Sequence, residues 1–434
     1  MRSKKNFAGG VIALAVVAAS LMMVANASAQ TESVLFNFGA PKSPGRAGNS
    51  PHGNLVMDSQ GHLYGTTSGG GYTLTCGKGS SAGCGTVFEL GPKVGGGWTQ
   101  KVLHTFTNNG IDGIGPEVGL TFDAAGNLYG TTGSGGQYGD GGTAFFGGTV
   151  FELSPGADGN WTEKILYNFE GGVDSAAGDN PVSPVFFDTA GNLYGTTYWG
   201  GPGNGNNSLG CGSVYELVPG AGGTWTETTV HTFLGGDDGC SGLDLILGAD
   251  GNLYGTAAGG RYGHGLVFEM VPGSGGIWTE EILDDFESGD APVDPYNLVF
   301  DSAGNLYGTA GGDGTYDNGS IFELSPGSNG TWTETIAYRF LSLSEGSGPG
   351  GLSFDMVGDI HGVTAGGGAH KLGTIFTLAP AVGGGWTETV VYSFAGGTDG
   401  EYPNPPVWNA AGDMFGTTVQ GGTYNLGTVY KIVP

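Results

Sequence analysis

The chain has 434 residues, 40 of them acidic and 13 Lys or Arg, for a formal net charge of −27. A field of that sign repels phosphate backbones and anionic lipid surfaces, which argues against nucleic acid and bare membrane and leaves cations, neutral glycans and basic proteins as partners. Its 93 glycines and 20 prolines are a disordered chain's composition unless a sequence period accounts for them.

The predicted elements begin with an export signal. Arg2, Lys4 and Lys5 form a basic segment, residues 11–24 an apolar core, and Ala27-Ser28-Ala29 a small-residue cleavage site. The apolar run is short for a membrane span, so residues 1–29 are expected to be removed and residues 30–434 to form one domain. No second apolar segment follows and no sorting tail precedes Pro434. The expected product is a soluble monomer, secreted or periplasmic.

From there one unit recurs seven times, at a period of 53 to 65 residues. Its clearest copy is Gly126-Asn127-Leu128-Tyr129-Gly130-Thr131-Thr132, followed after a glycine-rich gap by Gly148-Thr149-Val150-Phe151-Glu152-Leu153. A period of this size marks a repeat architecture, and the glycines then read as turns. Each unit predicts four strands, here a to d, typified by residues 120–123, 128–132, 148–153 and 161–169. All are rich in β-branched and aromatic residues and bounded by Gly, Pro, Asn or Asp. No helical period is present.

Two connections are constant. Six residues separate the end of strand a from the Tyr of strand b, as in Asp58 to Tyr64, and eight separate strand c from the Trp of strand d, as in Leu90 to Trp98. The other two vary. Across b–c the aromatic-to-aromatic separation is 24, 22 and 21 in the first three units, then 14 or 15; from the strand-d Phe to the end of strand a it is 20, 17 and 19, then 15. In an antiparallel four-stranded blade these two loops share one face. The insertions therefore crowd one face over blades one to three, the side on which repeat proteins often bind.

Seven such units suit an all-β, seven-bladed β-propeller. The mature chain opens on a strand d (residues 31–38) and ends on a strand c (residues 427–433). The N-terminal strand is expected to pair with the last blade, closing the ring and removing its exposed edges. A stacked solenoid is the competing fold, and it would instead show atypical caps at both ends.

The run F…D-x-x-G-N-L-Y-G-T-T…G-G…G-T-V-F-E-L resembles the GloVer tandem repeats of choice-of-anchor bacterial extracellular proteins, over residues 31–434. The resemblance implies an exported repeat protein and no catalytic residues. Here no carboxy-terminal anchor is recognisable. More distantly the blades are similar to those of NHL-type and gluconolactonase-like propellers, an analogy of fold only.

Candidate chemistry falls mainly on the variable face. An acid stands near a fixed offset after the strand-d Phe in six blades: Asp112, Asp174, Asp238, Asp290, Glu345 and Asp399. If these loops ring the channel mouth, the carboxylates converge as a Ca²⁺ site or an electrostatic collar; otherwise they are Asp-Gly turns. The b–c loops carry aromatics, Tyr72, Tyr138, Phe145, Phe146, Tyr198, Trp199 and Tyr262 among them. Rings beside carboxylates suit a carbohydrate; the plainer reading is packing between neighbouring blades.

The repeated acids Asp58, Asp123, Asp188, Asp301 and Asp355 read as caps of a turn whose Gly takes positive φ, and the strand-c Glu (Glu89, Glu152, Glu216, Glu269, Glu323) as a framework position. Histidines form no metal spacing; His104 and His231 merely occupy equivalent strand-d positions. Cys76–Cys84 and Cys211–Cys240 are the preferred pairs among three connectivities, on the variable face and in an oxidising compartment.

These observations favour a secreted, non-enzymatic binding propeller that recognises an extracellular glycan or surface protein on the face bearing the inserts. The alternatives are a metal-dependent hydrolase or lactonase and a structural envelope protein.

Overall fold

A computed structural model describes residues 31–39, 47–71, 76, 83–139, 147–171, 175, 177–202, 209–287, 291–312 and 317–433. Residues 1–29, expected to be an export signal, lie outside them, as do Tyr72, Phe145, Phe146, Asp174 and Asp290.

Seven antiparallel sheets form the wheel, each with its strands in the spatial order a-b-c-d. Blade four is the simplest example, with strands Cys240–Leu247, Leu253–Ala258, Leu266–Pro272 and Trp278–Asp285. Blade seven takes its fourth strand from the other end of the chain: Thr31–Asn37 pairs antiparallel with Thr428–Val433, Thr31 opposite Val433 and Asn37 opposite Thr428. Among the described residues the helical content is two three-residue 3₁₀ turns, Ala221–Gly223 and Gly236–Asp238. In blades one, four, five and six strand a runs further than its sequence suggests, while in blades two, three and seven it keeps only two residues beside strand b. In blade six it spans Ser347–Phe354, whose glycines hide a strand that propensity alone does not favour.

The turns follow the sequence closely. In blade two, Oδ1 of Asp123 accepts from the backbone N–H of Ala125 (2.9 Å) and Asn127 (2.8 Å), while Oδ2 accepts from the Asn127 side chain and the Tyr129 hydroxyl. Gly126 sits at φ +86°, where a β-carbon is strained. In blade four Gly248 replaces the Asp, and Asp250 accepts from Asn252 and Tyr254 instead. The strand-c Glu is part of the same frame, with Glu216 Oε1 accepting from Tyr194 at 2.7 Å.

Each blade interface is sealed by aromatic rings. The Phe ending strand d meets the aromatic of the next blade's strand c in all seven places: Phe106–Phe151, Phe169–Tyr215, Phe233–Phe268, Phe286–Phe322, Phe340–Phe376, Phe394–Tyr430 and Phe38–Phe88. Their centroids are 5.1–5.4 Å apart and their rings tilted edge to face, the geometry the ring quadrupole favours. A glycine just before strand c also lies against a proline of the next blade. A β-carbon on Gly85, Gly148, Gly265, Gly319, Gly373 or Gly427 would stand 2.2–2.7 Å from Pro116, Pro181, Pro295, Pro349, Pro403 or Pro51. Glycine is required there for close approach.

Candidate functional site

Both disulfides form as paired above, Cys76–Cys84 and Cys211–Cys240, with Cα atoms 5.1 and 4.4 Å apart. The second ties strand c of blade three to the start of strand a of blade four, on the face that carries the inserts.

That face also carries the exposed aromatics. Among the described residues Tyr138, Tyr262, Tyr402 and Tyr424 are the large aromatic side chains on the surface, 46%, 42%, 40% and 38% exposed, and all four stand on b–c or d–a loops or on the first residues of strand a. They come from blades two, four and seven, an arc centred on the inserts. Ile111, Leu234, Leu341 and Leu343 add exposed apolar surface on the d–a loops of the same face. Arg261 lies over the Tyr262 ring, 5.7 Å from its centroid. Tyr198 and Trp199 are half-buried and pack against each other at 4.5 Å. The opposite face is not free of apolar groups: Val94, Ile277, Met356 and Val382 sit at its turn tips, but none is aromatic.

Of the six carboxylates expected around the channel mouth, the four that are described do not gather there. Asp174 and Asp290 lie outside the described residues, and the other four bend back onto the outermost strand of their own blade. Asp112 accepts from the Thr107 N–H at 2.9 Å and faces His104; Asp238 accepts from the Leu234 N–H and faces His231. Glu345 accepts from the Leu341 N–H and the Tyr338 hydroxyl, and Asp399 from the Ala395 N–H and the Tyr392 hydroxyl. In each case the donor is the first N–H after the strand-d Phe. The local turn claims the acid and holds it at the rim.

Across every described junction of this kind waits a second acid that the sequence reading passed over. Glu163 and Glu280 approach His104 and His231 from the next blade; Glu388 and Glu32 stand near Glu345 and Asp399. Burial is the main cause of their raised pKa, and the neighbouring carboxylates add to it. Glu163, Glu388 and Glu32 are pushed up to about 7 and Glu280 to about 9. The signal for all but Glu32 lay in Trp-Thr-Glu, which recurs at residues 161–163, 225–227, 278–280, 332–334 and 386–388. Alternation along a strand puts the Glu on the same face as the Trp, so it had to point into the interface.

The central channel is lined by strand a of successive blades. It encloses a cavity of about 450 Å³ walled by Asn54, Glu117, Val185, Asp244, Asn297 and Leu352, among others. Asp244 Oδ2 accepts from the Leu298 N–H at 2.6 Å, and its enclosed position pushes the carboxyl up. Glu117 and Asp244 belong to non-adjacent blades. Among the described residues, the two groups of three side chains close enough to share a cation lie at the rim, His104–Asp112–Glu163 and His231–Asp238–Glu280, and not in the channel.

Several solved structures show a weak likeness to the chain, with TM-scores below 0.5. A gluconolactonase from Xanthomonas campestris is 13% identical, with 77% of this chain and 86% of that one covered and a TM-score of 0.39. A putative oxidoreductase (glucose dehydrogenase) from Thermus thermophilus is 12% identical over 93% and 100%, TM-score 0.41. A luciferin-regenerating enzyme is 10% identical over 73% and 90%, TM-score 0.42. Identities this low leave the chemistry of those proteins with them. No curated protein sequence matches the chain. One family model does, four times in overlapping register, at residues 22–242, 72–291, 141–349 and 241–434. With the repeat, the blades and the ring all of one kind, the chain belongs to the Gloeobacter/Verrucomicrobia repeat family.

Proposed function

We propose that this protein is an exported, non-enzymatic binding propeller that holds an extracellular glycan on the face bearing the inserts of blades one to three. One observation carries the reading: the exposed aromatic side chains and the length variation fall on the same face. Tyrosine rings offer flat apolar surfaces for sugar C–H groups, and the nearby acids and backbone carbonyls accept hydroxyl hydrogen bonds. The acidic surface suits a neutral or amine-bearing polymer rather than an anionic one. The disulfides accord with an oxidising compartment. Among the described residues no helix is long and apolar enough to cross a membrane.

The test is an array of immobilised neutral, amine-bearing and anionic polysaccharides and envelope proteins, probed with residues 30–434. Retention on one neutral or amine-bearing class is expected, and it should fall at least ten-fold in the Tyr138→Ala/Tyr262→Ala/Tyr424→Ala variant, at roughly 0.5–1.5 kcal/mol per ring. Retention on a protein alone, or retention that the triple variant leaves intact, would overturn the assignment.

A further inference from the structure

We propose that the two rim clusters, His104–Asp112–Glu163 and His231–Asp238–Glu280, are binding sites for a divalent transition-metal ion of the Zn²⁺ class, each clasping two neighbouring blades. In each cluster the His and the Asp belong to one blade and its outgoing loop, while the Glu comes from strand d of the next. Backbone bonds join these blades further in, from the Gly115 N–H to the Cys84 carbonyl and from the Ser241 N–H to the Cys211 carbonyl, but not at these outer strands, so an ion here would clasp the rim of the interface.

The spacing carries the argument. Zn–ligand distances of about 2.0–2.1 Å in a tetrahedron place neighbouring ligand atoms about 3.4 Å apart. His104 Nε2 lies 3.3 Å from Asp112 Oδ2 and 3.4 Å from Glu163 Oε1. His231 Nε2 lies 3.1 Å from Asp238 Oδ1 and 3.7 Å from Glu280 Oε1. Hydrogen bonding satisfies this arrangement poorly, because one ring nitrogen carries at most one proton and faces two carboxylates. The glutamate oxygen is the orphan: Oε1 of Glu163 and of Glu280 is buried and accepts no hydrogen bond. A cation serves both acids at once, and two carboxylates with a neutral imidazole balance its charge.

The donor set selects the metal. An imidazole nitrogen with two carboxylates suits Zn²⁺ and its neighbours, whereas Ca²⁺ takes six to eight oxygens. The ring nitrogens are aimed from side chains that keep 20% of their surface exposed, which leaves a path for entry and a fourth position for water. The ligands are also held in place. Asp112 is fixed by the Thr107 N–H and hydroxyl, and Asp238 stands two residues before Cys240, which is bonded to Cys211. Other junctions supply the contrast. Tyr338 and Tyr392 occupy the His position there, and their hydroxyls donate to Glu345 and Asp399; Oε1 of Glu388 and of Glu32 is unpartnered at these junctions too, so what sets the His junctions apart is the imidazole nitrogen, a metal ligand that a phenol replaces poorly.

That contrast provides the test. The exported chain is stripped with chelator, dialysed and titrated with Zn²⁺, Ca²⁺ or Co²⁺ by calorimetry, with metal content counted by mass spectrometry. Two equivalents of Zn²⁺ are expected, with tetrahedral visible bands for Co²⁺ and no matching Ca²⁺ binding. His104→Tyr and His231→Tyr, which copy the chain's own junctions, should each lose one equivalent, and the double variant both. Zn²⁺ should raise the melting midpoint of the wild type and not that of the double variant, whose disulfides and strand circular dichroism report that it is folded. No bound Zn²⁺ would overturn the assignment, as would equivalents that persist in the folded double variant, or Ca²⁺ binding of equal stoichiometry.

Discussion

Phe38 and Phe88 meet edge to face with their ring centroids 5.2 Å apart. One follows strand Thr31–Asn37 and the other lies in strand c of blade one, yet the contact joins blade seven to blade one. It is the closing member of the series of seven, and it forms because Thr31–Asn37 completes the last blade.

Phe38→Ala should therefore destabilise the whole ring. Phe38 is fully buried, and Phe→Ala in a core costs about 3–5 kcal/mol. The urea midpoint should fall as far as it does for Phe233→Ala, an interior junction. Deleting residues 31–38 should do more, exposing the edge of Thr428–Val433 and raising light scattering through edge-to-edge association. A deletion variant that stays monomeric with the wild-type midpoint would show the ring is not closed this way.

Gly319→Ala should destabilise although it adds a single methyl group. Gly319 sits at φ +94° and its β-carbon would lie 2.4 Å from Cδ of Pro349 in the next blade. Ala at a positive φ costs more than the roughly 0.4–1 kcal/mol it gains by restricting the unfolded chain. At Gly304, also at positive φ, nothing lies within 4 Å of the added carbon. The difference in urea midpoint between Gly319→Ala and Gly304→Ala isolates the contact between blades.

Replacing Cys211 and Cys240 together by Ser should cost about 3.5 kcal/mol, and replacing Cys76 and Cys84 about 2.5 kcal/mol, if loop-closure entropy dominates for separations of 29 and 8 residues. Calorimetric melting of the four-cysteine chain and of the two double variants measures both. Reversed magnitudes would mean native-state strain outweighs the entropy.

Stability should fall between pH 5 and pH 8. Burial first, and the carboxylate of Glu345 second, hold Glu388 up at about 7 from its ordinary 4.5, and burial with Asp399 does the same for Glu32. Tyr338 and Tyr392 are the other titratable groups at these junctions. Each acid binds its proton more tightly folded than unfolded. Its stabilisation is thus complete below the unfolded pKa and is lost as pH rises through about 7. Asp123 and Asp355, held below their usual range, act oppositely but only below pH 4. The urea midpoint should be higher at pH 5 than at pH 8, and Glu32→Gln with Glu388→Gln should narrow the gap. An unchanged gap would count against proton retention at the rim.

The sequence by itself determined the count of blades, their four strands, both hairpin turns and the side on which the chain varies, and it favoured the disulfide pairs that form. These are local matters, written in Asp-x-x-Gly turns, alternating strands and separations along the chain, and the offset of the terminal strands announced the closure as well. What only the tertiary structure decided is which acids meet. Asp112 was read with Asp174 and Asp238 because they share an offset, but its neighbour in space is Glu163, 51 positions along the chain. The N–H following the strand-d Phe turns each described carboxylate of this kind outward before it can reach the channel, and the packing of the next blade brings a glutamate to it. That meeting depends on how two sheets pack, and packing between repeats is not encoded in the period of either.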